Sequence, residues 1–134
     1  MCVVFGGTND YGHGKAPFGE FSDRDESTFY GACHKMISYL ADKYGGKTFF
    51  IMTPLHRIGE ENKNMHGKTL KDYVDAIREV AEYYSVPVLD LWAESGICPE
   101  IASHKERFVP DGLHPSDAGH EILANKIISY IKNL

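Results

Sequence analysis

The sequence predicts an α/β fold in which helices cover both faces of a parallel sheet, giving a three-layer α/β/α sandwich. Three short apolar runs, at residues 3–5, 48–52 and 86–91, alternate with longer segments whose apolar residues recur at helical spacing. These longer segments can carry the chain back for parallel pairing of successive strands. Because we find no internal repeat or linker, we expect residues 1–134 to form a single domain.

The first predicted strand leads to a candidate ligand-binding edge. Residues 3–5 are apolar on both faces, as in an interior strand, and two glycines follow them. A strand that ends in such a loop places polar side chains at the carboxyl edge of the sheet, so we expect Asn9 there. The glycine- and aromatic-rich residues 11–21 are predicted to be a loop bordering a substrate cleft. Gly7 and Tyr11 are therefore candidate substrate-binding residues.

Asp25 is the predicted N-cap of the first long helix, which ends at two glycines after Tyr44. Cys33 and His34 both lie within this helix, where sequence neighbours point about 100° apart around the axis. This geometry argues against a Cys–His catalytic pair. The predicted packing stripe of the helix comprises Phe29, Cys33, Met36, Ile37, Leu40 and Tyr44.

Residues 48–52 form the clearest predicted strand, because they are rich in aromatic and β-branched residues. His56 and Arg57 follow its carboxyl end, the edge at which open α/β sheets bind ligands. Two interpretations stay open for them. They line a substrate pocket, or they belong to a solvated loop.

The second half of the chain continues the alternation. Thr69 and Asp72 have the spacing of a capping box at the start of a second long helix. Residues 86–91 are predicted to be the third strand, and residues 92–103 an irregular segment with a short helical turn. Ser116 is the predicted N-cap of the last helix. Its predicted packing face comprises Ala118, Ile122, Ala124, Ile127, Ile128 and Ile131.

The turn before this last helix carries the main candidate for catalysis. Asp111 and His114 are three residues apart on a bend that contains two prolines and a glycine. On such a bend the carboxylate can accept a hydrogen bond from one ring nitrogen while the other faces a substrate, which makes His114 a candidate general base. The alternative is that Asp111 caps the turn and His114 is a surface side chain.

Two motifs resemble those of the SGNH, or GDSL, family of serine ester hydrolases. They are G-x-N-D at residues 7–10 and D-x-x-H at residues 111–114. The resemblance implies a flavodoxin-like parallel sheet, a small-molecule ester as substrate, and an acyl-enzyme mechanism. In that mechanism His114 is the base, Asp111 orients it, and Asn9 donates into the oxyanion hole.

One motif of the resembled family is absent. No Gly-Asp-Ser sequence, which carries the family's nucleophilic serine, occurs in the chain. We therefore expect an N-terminally truncated domain that holds the last three of five strands and is inactive alone. None of the serines considered as substitutes lies on a sharp strand-to-helix turn: Ser22, Ser27, Ser95, Ser103 and Ser116.

The missing part leaves two function classes and two kinds of partner open. The chain is an ester hydrolase of this type, or a non-catalytic binding or assembly module with the same fold. The strand at residues 3–5 would be left as a bare sheet edge, which we expect a second copy to cover in a homodimer. The competing expectation is a partner chain that supplies the serine.

Composition excludes several other classes. A formal charge of −5 argues against a nucleic-acid surface, and no apolar run approaches the length of a membrane span. Cys2, Cys33 and Cys98 include no C-x-x-C pair, so neither a disulfide framework nor a zinc site is expected. We expect no cofactor and no metal; His114 and His120, six residues apart, lack metal-ligand spacing. The chain as written is predicted to be cytoplasmic, although a longer natural chain could carry a signal peptide.

Overall fold

The computed structural model describes residues 1–134 and contains one three-stranded parallel sheet. Its strands are β1 (Cys2–Phe5), β2 (Phe49–Met52) and β3 (Val88–Leu89), in the spatial order β1-β2-β3. Both neighbouring pairs are parallel. The predicted α/β fold is confirmed, and the strand order agrees with the last three strands of a flavodoxin-like sheet.

Six helices accompany the sheet. They are α1 (Thr8–His13), α2 (Phe29–Lys43), α3 (Leu70–Tyr83), α4 (Leu91–Glu94), α5 (Ala102–Phe108) and α6 (Asp117–Lys132). None of them is both long enough and apolar enough to cross a lipid bilayer.

The central strand β2 explains the three layers, because its side chains alternate between two cores. Phe49 and Ile51 pack into one core together with α2 and α3. Phe50 and Met52 point to the other face, into a core that includes Leu123 of α6. Every residue of β2 is buried, which accounts for the continuous apolar run in the sequence.

The predicted N-cap of the first long helix is wrong, and the helix begins about one helical turn later in the sequence. Thr28, not Asp25, is the N-cap of α2, and its hydroxyl accepts a hydrogen bond from the Gly31 N–H. Asp25 instead accepts from the Ser27 N–H in a local turn. A Cβ on Gly31 would lie 1.8 Å from the Asp25 carbonyl oxygen, so this turn packs directly on the first turn of α2.

Other boundaries follow the sequence to different degrees. The capping box at Thr69 and Asp72 is present at the start of α3, and Ser116 caps α6 by accepting from the Gly119 N–H. The third strand is shorter than predicted, because Asp90 accepts from the Ala93 N–H and starts α4 instead. The helix α5 was not predicted.

The packing face of α6 also differs from the prediction. Gly119 and Leu123 are its buried residues, whereas Ala118, Ala124 and Ile128 are exposed. Of these, Ala124 lines a cavity together with Phe5 of β1. The helix is therefore only partly covered by this chain.

Candidate active site

The turn after α5 joins Asp111 and His114 as the spacing predicted. Oδ1 of Asp111 accepts from the backbone N–H groups of Leu113, at 2.8 Å, and of His114, at 2.7 Å. Oδ2 lies 2.6 Å from Nδ1 of His114. Asp111 therefore caps the turn through one carboxylate oxygen and contacts the imidazole through the other. An ionised carboxylate can only accept, so Nδ1 carries the hydrogen and Nε2 remains free as a proton acceptor.

The same hydrogen bonds control the charge of Asp111. The bond from the His114 side chain, followed by those from the two backbone N–H groups, holds the pKa of Asp111 well below its usual range. A lowered pKa means that the interaction is fully present above the ordinary carboxyl pKa and is lost only in strong acid. Asp111 is thus a carboxylate at neutral and mildly acidic pH. Because both side chains are largely exposed, the pair orients the imidazole rather than stabilising the fold.

Gly112 explains how this turn is fixed to the rest of the molecule. It adopts φ +79°, in the left-handed region that favours glycine, and a Cβ here would lie 2.8 Å from Cγ1 of Ile58. The Ile58 N–H donates to the Gly112 carbonyl at 2.9 Å. The turn that carries Asp111 and His114 therefore packs against the segment that follows β2.

Gly7 and Asn9 form the start of α1 rather than a loop. Gly7 is the buried N-cap residue with φ +116°, and a Cβ on it would lie 2.9 Å from Cδ1 of Ile77 and 3.1 Å from Cγ of Pro54. Only glycine fits this bend between β1 and α1. The bend places Asn9 in the first turn of α1, exposed at the carboxyl end of the sheet.

A single cavity of about 820 Å³ connects the two ends of the chain. Asn9 and His114 both line it, together with Gly7 and His120. Asn9, near one end of the chain, and His114, near the other end, therefore line the same cavity. The cavity has mainly apolar walls, which include Phe5, Met52, Leu55, Leu91, Leu113, Leu123, Ala124 and Ile127.

Three of the predicted substrate-binding residues do not line this cavity. Tyr11 is buried, and its hydroxyl donates to the carbonyl oxygens of Gly59, at 2.8 Å, and Asn62, at 2.6 Å. The prediction that it borders the cleft is wrong in position, because residue 11 falls on the inner face of α1.

His56 and Arg57 are also engaged elsewhere. The His56 ring stacks on Trp92 with 3.8 Å between ring centroids, and Nδ1 of His56 lies 2.7 Å from Oε1 of Glu60. Arg57 donates to Thr8. Neither of the two open interpretations describes these residues, since they line no cleft and are not free in solvent.

Sequence reasoning missed the contribution of α6 to the cavity. His120, Leu123, Ala124 and Ile127 line it from this helix. Ala124 and Ile127 belong to the predicted packing face of the helix, and their spacing gives no sign of a cavity. No serine lines the cavity. Cys33 is buried, and burial raises the pKa of its thiol to about 12, so it is not a nucleophile at neutral pH. The structure contains no group of three or more His, Cys, Asp or Glu side chains arranged to hold a metal ion.

The chain matches a family model and several solved structures. The model of the GDSL-like Lipase/Acylhydrolase family matches residues 1–122. One crystal structure is 39% identical, with a TM-score of 0.88, and the match covers 98% of this chain and 64% of the other. A protein from Lactobacillus plantarum is 31% identical, with a TM-score of 0.87, over 98% of this chain and 65% of its own.

A more distant structure shares the fold alone. It is an acetyl xylan esterase, 23% identical, with a TM-score of 0.66 over 96% of this chain and 65% of that protein. No curated protein matches the sequence. The chain thus spans slightly less than two thirds of the length of these solved structures.

Proposed function

The chain belongs to the GDSL-like lipase/acylhydrolase family, and on this premise we propose that it carries the base and an oxyanion donor of an ester hydrolase. The observation that carries the proposal is the placement of Asn9 and the Asp111–His114 pair around one cavity, although they are separated by about 100 residues. A free imidazole nitrogen and a primary amide are the groups that acyl transfer requires beside a nucleophile.

The proposed reaction has two steps, acylation of the serine and hydrolysis of the acyl-enzyme, and the same groups act in both. Nε2 of His114 removes the proton of a serine hydroxyl while its oxygen bonds to the ester carbonyl carbon. The Asn9 amide donates to the carbonyl oxygen as negative charge develops on it. The imidazolium then gives its proton to the leaving alcohol, and water repeats the sequence to release the acid. Asp111 keeps Nδ1 protonated throughout.

We propose that the serine lies outside residues 1–134. No serine lines the cavity, and Thr8, the one hydroxyl residue there, accepts a hydrogen bond from Arg57. Without a nucleophile the remaining groups could at best orient water, so we expect negligible esterase activity from this chain alone, lower by about 10⁶-fold.

Small acyl esters are the proposed substrates. The cavity beside His114 has apolar walls that suit an acyl group. An acetyl xylan esterase shares the fold, which makes acetylated carbohydrates the first compounds to test.

The structure also has three free cysteines, which support a reducing compartment, and we propose the cytoplasm as the location of this chain.

A fluorophosphonate probe, which modifies activated serines covalently, tests the proposed function. We expect it to label the complete gene product, including any sequence that precedes Met1, and not residues 1–134. Labelling of the short chain would refute an external nucleophile. Labelling of neither would favour the second candidate, a non-catalytic binding or assembly module, which the absence of a serine at the cavity also supports.

We also propose that residues 1–134 form a homodimer through β1. The Cys2 N–H donates to Thr48, so in this ladder the N–H groups of Val3 and Phe5 point away from β2, toward the free edge. Cavities of about 820 and 400 Å³ flank this edge on the two faces of the sheet, and Phe5 lines both. A second copy that pairs along β1 satisfies these N–H groups.

The Val3→Pro variant tests this pairing, because proline removes an edge N–H without removing a hydrogen bond to β2. Sedimentation analysis is expected to give twice the 15.0 kDa chain mass for the unmodified chain and a single chain mass for the variant. A monodisperse monomer of the unmodified chain would contradict the proposed dimer.

A further inference from the structure

Arg57 contacts the helix that carries Asn9. Its Nη1 donates to the Thr8 carbonyl oxygen at 3.2 Å and to the Thr8 hydroxyl at 3.1 Å. The guanidinium also lies over the ring of Tyr11, 5.5 Å from the centroid. One side chain therefore holds the first turn of α1 from a position 49 residues away in sequence.

Gly12 provides the space for this contact. A Cβ on Gly12 would lie 3.1 Å from Nη1 of Arg57 and 3.6 Å from its Nη2. Glycine inside a helix is less stable than alanine by about 1 kcal/mol. Its presence in α1 is explained by the guanidinium that packs against it.

The backbone beside Arg57 is held as firmly as its side chain. Oε2 of Glu60 accepts from the Arg57 N–H at 2.8 Å, while Oε1 lies 2.7 Å from Nδ1 of His56. Glu60 is mostly buried, so this carboxylate has little freedom. It closes residues 56–60 into a compact loop.

The same loop contacts the turn that carries Asp111 and His114. Ile58 follows Arg57 directly, and its N–H donates to the Gly112 carbonyl at 2.9 Å. Gly112 lies between Asp111 and His114. Two adjacent residues of one loop thus hold the helix of Asn9 on one side and the turn of His114 on the other.

We propose that Arg57 is a positioning residue that fixes α1, and with it Asn9, relative to the turn that carries His114. The consequence for catalysis rests on the proposed function. Arg57 touches neither the cavity nor a reacting group; it sets where the oxyanion donor stands. Displacement of such a donor by about 1 Å is sufficient to slow acyl transfer by about 100-fold.

The first test uses residues 1–134 and amide hydrogen exchange. In Arg57→Gln we expect the amides of α1 to exchange faster by about tenfold or more, whereas those of α3 are unchanged because the global fold persists. Arg24→Gln is the matched control, since Arg24 also stacks on aromatic rings, those of Phe21 and Tyr83, away from the site. Unchanged exchange in α1 of Arg57→Gln would overturn the proposal.

The second test uses the complete gene product and a small acetyl ester. We expect Arg57→Gln to lower kcat by about 10- to 100-fold with KM within about threefold, and Arg57→Lys to recover part of the loss, because an ammonium can still donate to Thr8. A raised KM with unchanged kcat would instead identify Arg57 as a substrate-binding residue. If the unmodified product hydrolyses no ester, the proposed function fails, while hydrogen exchange still decides whether Arg57 holds α1.

Discussion

Replacing His114 by glutamine is expected to abolish ester hydrolysis by the complete gene product while leaving the fold intact. His114 is the one imidazole whose Nδ1 is held by a carboxylate at the cavity that Asn9 also lines. Glutamine retains a polar side chain but cannot take the serine proton. We expect kcat to fall by about 10⁴-fold or more, as when the base of a catalytic triad is removed.

The fold should not change, because the side chain of His114 is 77% exposed. Circular dichroism and thermal unfolding of the variant are therefore expected to match those of the unmodified protein. His13→Gln is the control, since His13 is an exposed histidine at the C-terminal end of α1, whereas Asn9 lies at the N-terminal end. Hydrolysis by His114→Gln within about tenfold of the unmodified rate would contradict the role of His114 as base.

Replacing Tyr73 by alanine is expected to lower the free energy of unfolding more than any other substitution proposed for this chain. Tyr73 is 1% exposed and lies at the centre of an aromatic cluster, 4.7 Å from the ring centroid of Phe29 and 5.0 Å from that of Phe18. Its hydroxyl accepts a hydrogen bond from Asn64 at 2.9 Å. Removal of the ring leaves a cavity between α2 and α3, so we expect the free energy of unfolding to fall by about 3–5 kcal/mol.

Urea unfolding of residues 1–134 measures this change. Tyr73→Phe separates the hydroxyl from the ring, since it keeps the packing and loses only the bond from Asn64, at a cost of about 1 kcal/mol. If the alanine variant does not fold, the phenylalanine variant still reports the smaller term. Equal losses for the two variants would show that the ring packing contributes little.

The sequence was sufficient where a local pattern determines local structure. The complete burial of β2 follows from its apolar run, and the Asp111–His114 pair follows from the chemistry of one turn. The helices α1 and α5 were not predicted for physical reasons. Gly12 and Gly14 flank the end of α1, and no residue of α5 is buried, so neither helix has an apolar stripe.

Contacts between distant residues could not be predicted in the same way. Thr28 and Asp25 are both residue types that favour the N-cap position. The backbone of Asp25 packs against Gly31, where a Cβ would meet the Asp25 carbonyl, and this contact leaves Thr28 as the N-cap. Arg57 resembled a pocket residue because it follows a strand at the ligand-binding edge. Its actual partner, Thr8, is reached only when β1 and β2 lie side by side.

The glycine beneath the Arg57 guanidinium also matters for protein engineering. Helical glycines are the usual first targets when a protein is made more heat-resistant, because alanine restricts the unfolded chain. At Gly12 the added methyl group would press on the guanidinium, 3.1 Å away. We expect the displaced guanidinium to lose its hydrogen bonds to Thr8, so position 12 is a poor choice for such a substitution.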